Sequence, residues 1–161
     1  MQTENLLMVA DSEHDANMLY AVGMFVPDPF IYLRIRGRSC IVMSDLEIDR
    51  ARAQVPHCRV LSLTRYQRKL RQEGIKPAGL AQVAALILRE RKLNTVLVPG
   101  SFPSGLANEL ARLKVKVKVK RGSFFPEREH KSAAEVRKIS AALLMAEIGM
   151  AEAIQVLHRA K

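Results

Sequence analysis

Apolar and polar positions along this chain recur with two periods, and each change of period marks an element. Asn5 to Ala10 is an apolar run of strand length, and Ser12 followed three residues later by Asp15 has the form of a capped helix start, predicting a helix to about Val22. Phe30 to Arg36 alternates: Phe30, Tyr32 and Arg34 oppose Ile31, Leu33 and Ile35, and Gly37 turns the chain into Ser39 to Met43, giving a hairpin. Ser44, with Asp45 and Glu47 behind it, predicts a capped helix to about Gln54, closed by Pro56. Arg59 to Leu63 reads as a strand, and Leu63-Thr64 leads into a basic helix ending near Gly74.

From there the pattern repeats: helix Leu80 to Lys92, strand Thr95 to Val98, helix Gly105 to Leu113 with Ser104 as its cap, and strand Val115 to Lys120. Helices alternating with short β-branched strands argue for parallel crossovers, and the earlier hairpin adds an antiparallel pair. The expected fold class is therefore α/β, a three-layer αβα domain on a mixed five- or six-stranded sheet. Gly122 to Glu129 is the one boundary, with Pro126 stopping regular structure. The expected division is a domain over residues 1–126 and a long carboxy-terminal connector helix within 127–161. Ser132 and Glu135 have capping-box spacing, and Val136, Ile139, Leu143, Ala146, Met150, Ala153 and Leu157 recur at spacings of three and four as one apolar stripe. A stripe of this kind needs a neighbour. Left bare, it predicts a helix that folds back or pairs with a second copy.

Composition narrows the class. A chain of 161 residues, 48% hydrophobic, is large enough for one well-cored domain. The best candidate for a membrane span, Leu80 to Leu88, is too short to cross a bilayer, and no Lys or Arg precedes Arg34 to begin a targeting signal. The expectation is a cytoplasmic protein with no membrane partner. Cys40 and Cys58 belong to no CxxC pair and read as reduced, buried thiols.

The net charge of +10 is uneven, with no Lys or Arg in the first 33 residues. Two basic segments, Arg34 to Arg38 and Lys114 to Arg121, raise the question of nucleic acid. Strict Val/Lys alternation in the second instead reads as a half-buried strand, with lysines guarding a sheet edge. The absence of Trp and of any recognised nucleic-acid motif weighs the same way, so no nucleic-acid partner is expected.

Candidate chemistry is sparse. Gly100 to Gly105 has the glycine spacing of a phosphate loop, but Leu106 and Ala107 stand where Lys and Ser or Thr are required. His14, His57, His130 and His158 form no metal-ligand motif, and Glu127, Glu129 and His130 read as a charged linker. No G-x-S-x-G elbow occurs, and Asp11, Glu13 and Asp15 read as helix-start acids. No catalytic, cofactor-binding or metal-binding residue is expected in this chain.

Arg128, Lys131, Ser132, Glu135, Val136, Ile139 and Ala142 match the pattern R-x-x-K-S-x-x-E-[IV]-x-x-I-x-x-A. This resembles the helix joining the amino-terminal and catalytic domains of the pita-bread metallopeptidases, which include Xaa-Pro aminopeptidase, prolidase and creatinase. Tyr20-Ala21-Val22-Gly23 resembles that superfamily's Y-x-[TS]-G segment, with Val22 in place of Thr or Ser, and Asp28-Pro29-Phe30 precedes the next strand as in the family. The resemblance implies a mixed-sheet αβα amino-terminal domain without catalytic residues, whose partner is its own catalytic domain, beginning after about Lys161. There two divalent metal ions, usually manganese, cobalt or zinc, would be held by two Asp, two Glu and one His, and metal-bound hydroxide would attack the bond before proline. It also implies that this domain shapes the active-site mouth and contributes to a homodimer. By position, the Tyr20 to Phe30 loop is the candidate contact, with Tyr20 and Phe25 its candidate mouth or interface residues, although a core position is the expected placement of both rings. The same domain of a creatinase-like amidinohydrolase, or a free-standing adaptor that binds a partner through its long helix, are the alternatives.

Overall fold

The computed structural model describes residues 4–160, and the chain divides into two compact units, Met1–Phe124 and Phe125–Lys161. In the first unit the elements run β1 (Leu6–Ala10), α1 (Ala16–Val22), β2 (Phe30–Ile35), β3 (Arg38–Met43), α2 (Ile48–Gln54), β4 (Arg59–Ser62), α3 (Leu63–Gln72), α4 (Leu80–Glu90), β5 (Thr95–Val98), α5 (Ser104–Arg112) and β6 (Lys116–Val119). The six strands form one mixed sheet in the order β4-β3-β2-β1-β5-β6. Only β2 runs against its neighbours: it is antiparallel to β1 and β3, whereas β3–β4, β1–β5 and β5–β6 are parallel. This is the mixed α/β architecture that the pattern predicts.

Alternation along the strands explains the layers. Leu7, Val9, Ile31, Leu33, Ile35, Cys40 and Val42 share one sheet face and pack in a single buried cluster with Leu70 of α3, Ala84, Ile87 and Leu88 of α4, and Leu110 of α5. The intervening residues Leu6, Met8, Tyr32, Ile41 and Met43 point the other way and are buried as well, as are Met18 and Val22 of α1 and Ala51 of α2. A sheet buried on both faces requires helices on both faces. The β2–β3 turn is tight because Arg36 and Gly37 both take positive φ, +51° and +78°, the geometry that two-residue hairpin loops favour.

Three helix starts differ from the predicted caps. Asp15, not Ser12, caps α1, accepting from the Met18 amide at 2.8 Å. Ser44 serves a turn through its carbonyl oxygen, which accepts from the Glu47 amide, and α2 begins at Ile48 without a side-chain cap. At α5 the N-cap is Pro103, so Ser104 is already helical. The sheet edge also corrects an expectation: Lys116 and Lys118 are exposed as predicted, but of the valines expected inside, Val115 is buried and Val119 is 61% exposed. Val117 is half-buried against the core, so the inner face of the edge strand loses its cover only at its end.

The second unit holds a short 3-10 turn, Pro126–Glu129, and α6, Ala133–Arg159. Its cap is the predicted one: the Glu135 amide donates to Ser132 Oγ at 3.3 Å, and the Ser132 amide donates to Glu135 Oε2 at 2.8 Å. At 1.5 Å per residue the helix is about 40 Å long, and none of its residues is buried. The apolar surface is wider than the single predicted stripe. Leu144, Met145, Ile148 and Val156 lie off it and are exposed as well, so the helix is apolar nearly all round between Ile139 and Leu157. By length and composition it would also be able to cross a membrane, with a mean hydropathy of 1.5 in its most apolar window. Glu147 and Glu152 interrupt its sequence, so no unbroken apolar run of spanning length marks it.

Candidate functional site: the loop between α1 and β2

Residues 20–30 leave α1, pass along the end of the sheet where β1 finishes, and enter β2. Gly23 ends the helix in the left-handed conformation, φ +67°, and its amide donates to the Leu19 carbonyl at 2.7 Å, as a glycine C-cap does. The segment on both sides of Gly23 is held by polar groups from three separate places. Ser12, fully buried just past β1, donates from Oγ to the Met24 carbonyl at 2.6 Å and accepts from the Val26 amide at 2.8 Å. The Ser12 amide adds a bond to the Val26 carbonyl at 3.0 Å. Arg50 of α2, fixed by Glu47 Oε2 at 2.7 Å, donates through Nη2 to the Phe25 carbonyl at 2.8 Å. His57 Nε2 lies 3.0 Å from the Ala21 carbonyl.

These anchors determine which side chains face outward. Met24 and Val26, on either side of Phe25, are each 2% exposed, and their burial turns the Phe25 ring into solvent at 63%. Tyr20, on the last turn of α1, is 40% exposed. The expected core placement of Tyr20 and Phe25 is therefore corrected. A loop pinned at residues 21, 24, 25 and 26 that displays an exposed aromatic ring has the form of a contact surface, because exposed rings on a rigid frame bury large area at little entropic cost. Sequence reasoning singles out the two rings and misses their supports. Ser12 reads as a helix cap, His57 belongs to no motif, and nothing in the sequence singles out Arg50.

The acids near this loop are engaged locally. Asp11 accepts from the His14 amide at 2.7 Å and lies 3.0 Å from His14 Nδ1, and the backbone hydrogen bond holds its carboxyl below the usual range. Asp15 is the α1 cap. Among the described residues no three His, Cys, Asp or Glu side chains converge, so the dinuclear centre implied by the resemblance has no ligand set here. Burial pushes both thiols up, Cys58 to about 11; at Cys40 the nearby Arg91 and Arg59 charges act against that rise. Neither is an activated nucleophile.

The fold and this site define an αβα domain followed by a long apolar helix, and that combination has solved counterparts. No protein-family model and no curated protein matches the sequence. Among solved structures, the X-Pro aminopeptidase from Thermotoga maritima is similar over 94% of this chain with a TM-score of 0.72 at 15% identity. The prolidase from Pyrococcus furiosus is similar over 94% with a TM-score of 0.67 at 14% identity. The N-terminal domain of the cytoplasmic peptidase PepQ from Mycobacterium tuberculosis matches 73% of this chain and 81% of its own length, with a TM-score of 0.51 at 12% identity. At such identities the likeness shows a shared fold. The chain spans about two fifths of the first two structures, 40% and 39%.

Proposed function

We propose that this chain acts as the non-catalytic amino-terminal domain of an Xaa-Pro aminopeptidase- or prolidase-like metallopeptidase. In this reading the Tyr20–Phe30 loop forms a wall of the active-site mouth or a homodimer contact, and α6 connects to the catalytic domain that holds the metal ions. The observation that carries it is the fold likeness over 94% of the chain to an X-Pro aminopeptidase, which includes the helix whose Ser132–Glu135 cap completes the connector pattern. The apolar surface of α6 supports a large partner: Leu143, Met145, Ile148 and Met150, between 56% and 73% exposed, cover several sides of the helix and need a protein core around them.

The test is made on the complete gene product. At dilution low enough to keep residues 1–161 from self-associating, hydroxyl-radical footprinting should find Met145 and Met150 reactive in residues 1–161 alone and protected in the complete product, which should carry two Asp, two Glu and one His beyond Lys161. A natural stop at Lys161, or equal reactivity in both proteins, would sink the reading. The width of the apolar surface also favours a second reading, an adaptor that binds a separate partner through α6. A natural stop with protection appearing only when that partner is present would mark it.

A further inference from the structure

At the opposite end of the sheet from the Tyr20–Phe30 loop lies a cleft of about 890 Å³. Its basic lining converges from three elements. Arg36 and Arg38 come from the β2–β3 turn and the start of β3, Arg59 from the start of β4, and Arg91 and Lys92 from the end of α4. The register accounts for the convergence. Arg59 pairs with Cys40 on the neighbouring parallel strand, and Arg38 lies two residues before Cys40, so both side chains leave the sheet on the face that α3 and α4 cover. At that end of the sheet the basic residues line the cleft together with the apolar Ile35 and Leu61 and with Tyr66.

The charge in this cleft is unbalanced. Its one acid, Glu90, is engaged by Lys69 Nζ and faces the Tyr66 hydroxyl at 3.5 Å. Among the described residues, the side chains of Arg36, Arg38, Arg59 and Lys92 make no ion pair or hydrogen bond. Like charges gathered in a concave site repel one another, and the low-dielectric wall concentrates their field on whatever enters. Solubility alone would spread them, as the lysines of β6 are spread along the other sheet edge.

We propose that this cleft binds a polyphosphate chain, carried by a nucleotide or as inorganic polyphosphate. Planar guanidinium groups match phosphate oxygens two at a time, so several of them take successive phosphates where a single carboxylate would occupy only one. A volume of about 890 Å³ accommodates a phosphorylated small molecule of nucleotide size, and the lining includes one aromatic ring, Tyr66, to offer a base. An extended nucleic acid fits less well, because the other basic segment lies on β6, three strands away from β2.

The test is calorimetric titration of residues 1–161 with ATP and, separately, with inorganic tripolyphosphate, at about 0.15 M salt so that diffuse attraction is screened. Saturable binding to one site is expected, weakened roughly tenfold or more by Arg38→Ala with Arg59→Ala, and unchanged by Lys116→Ala with Lys118→Ala. Tighter binding of ATP would assign the nucleotide as the source; equal binding would assign the inorganic chain. Should the double arginine variant melt early, Arg59→Gln alone reads the same contact from an exposed strand start. Absence of saturable binding, equal weakening by the lysine pair, or tighter binding of a mixed-sequence oligonucleotide than of either probe would overturn the proposal.

Discussion

Ser12 and Met24 are joined by a 2.6 Å hydrogen bond from a hydroxyl that is fully buried, across a separation of twelve residues. With the return bond from the Val26 amide, this one side chain closes the loop on which Phe25 is displayed. Removing the hydroxyl leaves a buried carbonyl and a buried amide without that partner. Ser12→Ala is therefore expected to cost about 1–3 kcal/mol in urea unfolding, with faster amide exchange confined first to residues 24–26. A loss within experimental error would mean that the hydroxyl does not hold the loop.

Phe25 tests the separation between stability and contact. Because its ring is 63% exposed and its backbone does the anchoring, Phe25→Ala should change stability by less than about 0.5 kcal/mol. If the proposed role holds, the same variant in the complete gene product should raise KM for longer peptides or weaken self-association. A large stability loss with unchanged kinetics and assembly would return Phe25 to a purely structural role.

At the α6 entrance, the Ser132 hydrogen bonds hold the Glu135 carboxyl below its usual value of 4.5. A carboxyl whose folded pKa is depressed adds stability above its unfolded pKa and loses it as pH falls through the folded value. Amide protection in the first turn of α6 should therefore decline as pH drops below about 4.5, while the sheet remains protected. Glu135→Gln, which still accepts the Ser132 amide, should flatten that decline.

The alkaline side has the opposite sign. Burial raises Tyr32, Cys40 and Cys58 above their ordinary values, Cys58 from 9.0 to about 11. An acid whose folded pKa is raised adds stability below the unfolded value and loses it as pH rises toward the folded one. The Tm should fall between about pH 9 and 11, and both thiols should react slowly with a thiol reagent at pH 8 until the protein unfolds. Fast labelling of the native protein would contradict the burial that raises them.

The parts of the structure legible in the sequence are those whose causes are local. Ser132 and Glu135 lie three residues apart and cap each other as the spacing says, and Arg36-Gly37 makes the hairpin turn that the flanking alternation requires. Ser12 shows the limit. It stands three residues before an acid, as a cap would, yet Asp15 is an equally good cap and takes the helix, which frees Ser12 for partners twelve and fourteen residues away. Phe25 differs in kind from both: whether an aromatic residue is core or display depends on which of its neighbours the fold buries, and here Met24 and Val26 are the buried pair. The basic cleft is dispersed in the chain because Arg38, Arg59 and Arg91 meet only through strand register and a helix end. Composition reports their charge without their convergence.

Whether this chain supports peptidase chemistry without performing it is decided by release of the amino-terminal residue from an X-Pro peptide in excess manganese. Residues 1–161 should release none, and the complete gene product should release it in a metal-dependent way. Turnover by residues 1–161 that survives repurification, or an inert complete product under the same conditions, would refute a supporting, non-catalytic role.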